Sequence, residues 1–428
     1  MANLKFPFGK EQIEYTVPDT RLSEVLVSGL HHYHPTADEV TLVREAMAKP
    51  YGSPPLWELA RGKQKVVIIA SDHTRPVPSK VILPLMLEEI RRGNPNAEIT
   101  ILIATGCHRG TTKEELVAKF GEEIVQNEKI YVHDCDDATM LTDIGVLPSG
   151  GACIVNRLAV EADLLLAEGF IEPHFFAGYS GGRKSVLPGI CSRRTVLANH
   201  CAEFIDSPYA RTGILRGNPI HKDMVWAARR AGLAYIVNVV INAEKKVVYA
   251  VAGDMEKAHE AGCDFLSQYC GAKSRGADIV ISTNGGYPLD QNIYQSVKGM
   301  TAAEAAVRDG GVIIMLASAA DGTGGDEFYR CMKAKDDVRE IYADIMTRDR
   351  AHTISDQWMT QILSRILMKA RVIYVSDAPA ELVRGYHLIP ARDLAGAVRA
   401  AEELLGDPAA SISAIPDGVS VMVTRENI

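Results

Sequence analysis

Lys184 closes a glycine-rich run, Gly178-Tyr179-Ser180-Gly181-Gly182-Arg183-Lys184-Ser185, that lies just downstream of Glu172-Pro173-His174. Glycines allow backbone N–H groups to approach an anion closely, and Arg183 adds a fixed positive charge beside Gly181 and Gly182. A lysine in that setting could hold a phosphate or form a covalent bond to a cofactor. His174, ten residues upstream of Lys184, supplies an acid/base close in sequence. The spacing is not that of a Walker loop, which needs four residues between its first glycine and Gly-Lys. An ordinary phosphate-binding turn explains the glycines equally well.

Other segments carry reactive side chains. In Ser71-Asp72-His73-Thr74-Arg75-Pro76-Val77-Pro78 the prolines stiffen a loop from which Asp72 and Arg75 could present one charge of each sign. A surface turn with a local Asp–Arg pair is the plainer reading. The stretch Ala104-Thr105-Gly106-Cys107-His108-Arg109-Gly110 puts His108 in a short glycine-flanked loop, better placed for proton transfer than a helix face. A structural role accounts for a lone loop histidine as well. Phe175 and Phe176 flank His174 and would desolvate it, shifting its protonation equilibrium. His200 falls on a helix expected to start after Ser192. One histidine per element is not a metal-binding signature, so spacing alone reveals no metal. The cluster His31-His32-Tyr33-His34 reads as an exposed loop. Farther on, Tyr294 and Lys298 share a face at a helix start with Gln295 alongside. That trio suits a carboxylate and an alcohol, although a solvated helix face gives the same pattern.

The elements that must position these groups alternate in type. β-branched runs at 65–70, 99–104, 163–167 and 235–241 read as buried strands between amphipathic helices. A helix is expected near Ser79, and another after Thr111-Thr112, where Glu114 and Glu115 complete a capping-box signal. After the polar stretch 270–276 a second series follows, with strands expected at 278–283, 311–316, 371–376 and 419–424. The fold class is α/β: two α/β domains with largely parallel sheets covered by helices. The N-terminal domain is expected over 1–273 and the C-terminal one over 274–428, the tail after about residue 405 being able to pack back on the first. Ligands of open α/β sheets sit beyond the carboxyl ends of the strands, where the reactive loops all fall.

Bulk properties agree with a soluble enzyme. At 428 residues the chain exceeds one typical core. Its formal charge of −8 argues against nucleic acid or an anionic membrane as the main partner. No apolar run approaches the ~20 residues of a membrane span, and the N-terminus has no apolar signal core, so a cytoplasmic location is expected. The eight cysteines include no C-x-x-C pair and read as scattered reduced thiols.

Taken in this order, the 71–76, 105–109 and 172–184 segments, His200 and Tyr294-Gln295-x-x-Lys298 resemble the nickel-dependent lactate racemase family over nearly the whole chain. The resemblance implies an active site in the cleft between two domains. It also implies a nickel-pincer nucleotide, a pyridinium-3-thioamide-5-thiocarboxylic acid mononucleotide joined covalently to Lys184. His200 would be the one protein ligand to nickel, since the cofactor's sulfur and carbon donors supply the rest. Asp72, Gly181, Gly182 and Arg183 would lie against the nucleotide. The implied reaction is racemisation of a 2-hydroxy acid, lactate by default, through hydride transfer to and from the cofactor. His108 and His174 would act as acid/bases on opposite faces of the substrate. Arg75 and Lys298 would bind its carboxylate, with Tyr294 and Gln295 in support. Such a cofactor requires assembly proteins for its installation.

Other readings stay open at this level. The same chemistry could serve malate, a longer or aromatic hydroxy acid, or the 2-epimerisation of a sugar acid. An NAD-dependent dehydrogenase fits the alternation but lacks a G-x-G-x-x-G after the first strand. A non-catalytic carboxylate- or nucleotide-binding protein leaves the loop histidines unexplained. Oligomeric state, monomer or homodimer, is open.

Overall fold

The computed structural model describes residues 1–426. It falls into two compact units: one of residues 30–200 and 207–268, the other of residues 1–29, 201–206 and 269 onward. The main break lies after residue 268, and the first 29 residues belong to the C-terminal unit. The reason is the pattern of the N-terminal hairpin, Ala2–Phe8 against Glu11–Val17. Its buried Leu4, Phe6 and Val17 join the core built on Ile279, Ile281, Ile314 and Ile373.

In the N-terminal unit six strands lie in the order Val247–Gly253, Leu233–Ile241, Leu164–Phe170, Lys65–Ser71, Glu98–Ala104, Lys129–Val132. All neighbours pair in parallel except the first two. Lys65–Ser71 and Glu98–Ala104 each bury five consecutive residues, because helices cover both faces and leave no polar side for alternation. Val66, Ile68, Ile101, Leu166 and Val237 meet in one core. From Lys65–Ser71 the chain builds outward through Glu98–Ala104 and Lys129–Val132, then returns to add Leu164–Phe170 on the opposite side. The order therefore reverses between Lys65–Ser71 and Leu164–Phe170, which opens a crevice at their carboxyl ends.

The C-terminal unit has a second six-stranded sheet, wholly parallel, in the order Ile389–Ala391, Arg371–Val375, Val307–Leu316, Ala277–Thr283, Ile412–Ile415, Leu22–Val25. The expected strands at 278–283, 311–316 and 371–376 are in it. Ile412–Ile415, not anticipated, pairs with Ala277–Thr283, and Met422–Arg425 pairs with Gly271–Ser274 in a separate two-stranded ribbon. The tail thus packs in its own unit, since its four buried residues 412–415 complete that sheet.

Thr112 caps Lys113–Phe120 through a reciprocal capping box with Glu115. The cysteines Cys107, Cys135, Cys153, Cys191, Cys201, Cys263, Cys270 and Cys331 are all unbridged. Among the described residues no helix is long and apolar enough to cross a membrane.

Candidate active site

Parallel register aligns the strand ends of the N-terminal unit. Ser71 pairs with Ala104, and Ile69 with Ala167, so the loops after these three strands leave from one edge. Asp72, His108 and His174 stand on those loops.

Asp72 is 1% exposed, and its Oδ2 lies 2.7 Å from His108 Nδ1. Its Oδ1 accepts from the Thr74 amide and hydroxyl at 3.1 and 2.6 Å. Burial works to raise this carboxyl, but the hydrogen bond and charge of His108, with Thr74 and Arg75, outweigh it and hold the group down to about 2. An ionised carboxylate only accepts, so His108 Nδ1 carries the proton and Nε2 is left as the basic atom. The His108 side chain remains 45% exposed. Its loop is fixed from below: Gly106 donates its N–H to Gly189 O, and Thr105 Oγ1 donates to His133 O. Arg75 is exposed beside this pair, its own carbonyl accepting from Lys119.

A residue that the sequence did not single out closes the crevice floor. Glu168, 1% exposed at the end of its strand, accepts through Oε1 from the Ser71 amide, Ser71 Oγ and Ser79 Oγ. Complete burial pushes its carboxyl upward. Glu168 thereby ties Leu164–Phe170 to Lys65–Ser71 across the point where the strand order reverses.

The segment after Leu164–Phe170 turns back on itself, Pro173–His174 pairing with Gly178–Tyr179. His174 Nδ1 accepts the Ala177 amide at 3.2 Å, and its Nε2 lies 3.4 Å from Lys184 Nζ. The imidazole stacks on Phe175 and meets Phe176 edge-on at 4.6 Å. Phe176 also meets the His200 ring, at 5.1 Å, and Lys184 Nζ stands 5.8 Å from its centroid. One phenyl ring therefore gathers His174, Lys184 and His200. His200 ends the helix Arg193–Asn199, whose start is capped by Ser192 as expected. It is 5% exposed; burial first, and the Lys184 charge second, bring its imidazole down to about 3. A neutral imidazole is the form that binds a metal.

The rest of the glycine loop makes close interior contacts. A Cβ on Gly182 would meet the His259 ring at 2.7 Å, and one on Gly181 would meet Asn238 Oδ1 at the same distance. The Gly182 amide donates to Asn238 Oδ1, and the Arg183 guanidinium is 1% exposed and bonded to interior groups. The Cβ sides of Gly181 and Gly182 and the Arg183 guanidinium are thus packed against interior groups. Asp72 is bonded to His108 and Thr74. Lys184 and His200 remain suited to an attached metal cofactor: a part-exposed amine and a neutral imidazole about one aromatic ring.

In the C-terminal unit Asn292 caps the helix Ile293–Ala306 by accepting from the Gln295 amide. Tyr294, Gln295 and Lys298 are all part-exposed while Ser296 and Val297 are buried, which is the shared edge expected from helical spacing. Tyr294 OH accepts from Trp358 Nε1 at 3.2 Å, and its ring abuts Phe328 edge-on. Trp358 lies in the first turn of Gln357–Lys369 and carried no signal in the sequence. The group of Asp134, Cys135 and Asp136 has ligand atoms within 4.8 Å of one another, but Asp136 is already paired with Arg193.

Family models for the lactate racemase N-terminal and C-terminal domains match residues 8–213 and 272–423. The chain belongs to the lactate racemase family. A lactate racemase of Thermoanaerobacterium thermosaccharolyticum is 54% identical over 427 residues, 100% of each chain. One from Lactiplantibacillus plantarum is 51% identical over 424 residues, 99% of this chain and 100% of the relative. The structure of the Thermoanaerobacterium lactate racemase apoprotein superposes with a TM-score of 0.96 at 53% identity, over 99% of this chain and 100% of that one. A Thermotoga maritima crystal structure, at 19% identity and a TM-score of 0.67, covers 92% of this chain and all of its own, and shares the fold. Membership in this family makes the chain an isomerase, a racemase, and decides against the dehydrogenase reading.

Proposed function

We propose that this racemase interconverts D- and L-lactate with a nickel-pincer nucleotide attached to Lys184. The observation that carries the reading is the pairing of a dyad-held base, His108 on Asp72, with a second histidine, His174, set against the Lys184 amine. Full-length likeness to two lactate racemases supports lactate as substrate.

His108 presents Nε2 to the substrate hydroxyl, its other nitrogen fixed by Asp72, and takes or returns the hydroxyl proton for one enantiomer. His174 does the same for the other. Arg75 and Lys298 bind the substrate carboxylate, and Tyr294 and Gln295 support its oxygen atoms. Lys184 would hold the cofactor covalently, and His200, neutral at working pH, would ligate nickel. When bound, that group supplies the acceptor and donor of the α-hydride. Phe175 and Phe176 exclude water around His174.

Intact mass and peptide mapping of the chain, produced alongside cofactor-assembly proteins, test the attachment. An adduct on Lys184, absent from Lys184→Ala, is expected, together with racemisation of either lactate enantiomer by chiral chromatography. An unmodified chain from a host that matures a relative would overturn the cofactor assignment. Turnover of another 2-hydroxy acid in preference to lactate would overturn the substrate alone.

A further inference from the structure

Two adjacent cations on the glycine loop face opposite ways. Lys184 Nζ points to His174, whereas Arg183 is among the largest fully buried side chains of the described residues. Its partners are uncharged. Nε donates to His221 Nδ1 at 3.0 Å and Nη2 to Ala177 O at 2.7 Å. Nη1 reaches Gly181 O at 3.2 Å and His259 Nε2 at 2.9 Å. His259 Nε2 is also 2.8 Å from Ser180 O, so this nitrogen bonds the turn either at Arg183, as acceptor, or at Ser180, as donor. Burial drives both histidines toward the neutral form, with the Arg183 charge adding to it. Every nitrogen of the guanidinium therefore has at least one interior partner, using up to four of its five N–H groups.

We propose that Arg183 is a positioning residue for Lys184, a buried staple closed by His221 and His259 that holds the 177–184 turn against the interior. This rests on the reading of Lys184 as the attachment residue. The staple acts through the backbone: Lys184 N donates to Gly181 O, whose own position Arg183 fixes. His259 and His221 come from separate helices, Lys257–Cys270 and Pro219–Arg230, so three elements converge on one side chain.

The test uses the chain without cofactor and measures trace acetylation of Lys184 by peptide mapping, relative to exposed Lys80. Loosening the turn exposes Lys184, so Arg183→Lys and His259→Leu should each raise its labelling by about fivefold or more. His259→Gln, which restores a polar group near the position of Nε2, should return it close to the parent value. Arg183→Lys keeps the charge and cannot form the fork. Parent-like labelling in that variant would mean that charge alone matters, and would overturn the staple. Unchanged labelling in His259→Leu would overturn it as well. If either variant fails to fold, His221→Ala, at the part-exposed end of the cluster, replaces it, and an unchanged Lys184 there is equally fatal. Failure of the cofactor reading shows separately, as a missing adduct on the parent chain.

Discussion

Asp72 and His108, on the loops after two neighbouring parallel strands, share a 2.7 Å hydrogen bond in which the carboxylate is buried and the imidazole reaches solvent. The carboxylate sets the tautomer and stabilises the charged imidazole that forms when His108 takes a proton. Asp72→Asn should therefore lower kcat by about 10²-fold or more with a small change in KM. Steady-state kinetics within twofold of the parent would remove Asp72 from the proton-transfer machinery.

The two histidines are held differently, one by a carboxylate and the other by an amide that donates to its Nδ1. Even so, the equilibrium constant of a racemisation is one, so kcat/KM must match in the two directions for any variant. His108→Ala and His174→Ala are each expected to abolish interconversion while leaving the melting transition near that of the parent. Racemisation retained in both would end the two-base scheme.

Glu168 carries three hydrogen bonds on Oε1, while Oε2 is buried with no partner among the described residues. Burial pushes this carboxyl upward, toward the neutral acid, against the Lys119 charge and the hydrogen bonds on Oε1. Glu168→Gln should consequently fold with stability within about 1 kcal/mol of the parent. Glu168→Ala strands the Ser71 and Ser79 donors and should cost about 1–3 kcal/mol in chemical denaturation. Equal losses in the two variants would show that an ionised carboxylate is required.

Acid sensitivity should come from the buried histidines, His200 and the two around Arg183. His221 is lowered to about 3 and His259 well below its ordinary value, by burial first and by Arg183 second. Cys263, whose thiol burial keeps protonated, adds no compensating charge. Each histidine titrates near 6.5 when unfolded, so the native state binds fewer protons below that pH. The stability is complete above pH 6.5 and is lost as pH falls toward 3, by up to about 1.4 kcal/mol per pH unit for each group. Denaturation midpoints measured from pH 7.5 to 4.5 should show the decline, and His221→Gln should flatten it. A flat acid limb in the parent would contradict these assignments.

Much of this was legible from residue types. Uninterrupted β-branched runs specify strands covered on both faces, and Lys65–Ser71, Glu98–Ala104 and Ala277–Thr283 lie within a residue or so of the expected bounds. Helical spacing placed Tyr294, Gln295 and Lys298 on one edge, and a capping signal located Thr112. The tail strand Ile412–Ile415 was missed because four residues carry too little periodicity, and only its neighbours in the sheet define it.

By itself, then, the sequence determined two α/β units, the strand ends at which the reactive loops emerge, and the types of group those loops offer. These follow from local patterns of burial and chain stiffness. Only the tertiary structure decided what each group faces. Asp72 meets His108 across 36 residues, and Glu168 meets Ser71 across 97, because strand order brings their loops together. Arg183 and Lys184 carry the same formal charge on adjacent residues, yet one is interior and the other faces His174. That choice depends on His221, His259 and Asn238, which arrive from distant helices and a strand, and no spacing within the loop encodes it.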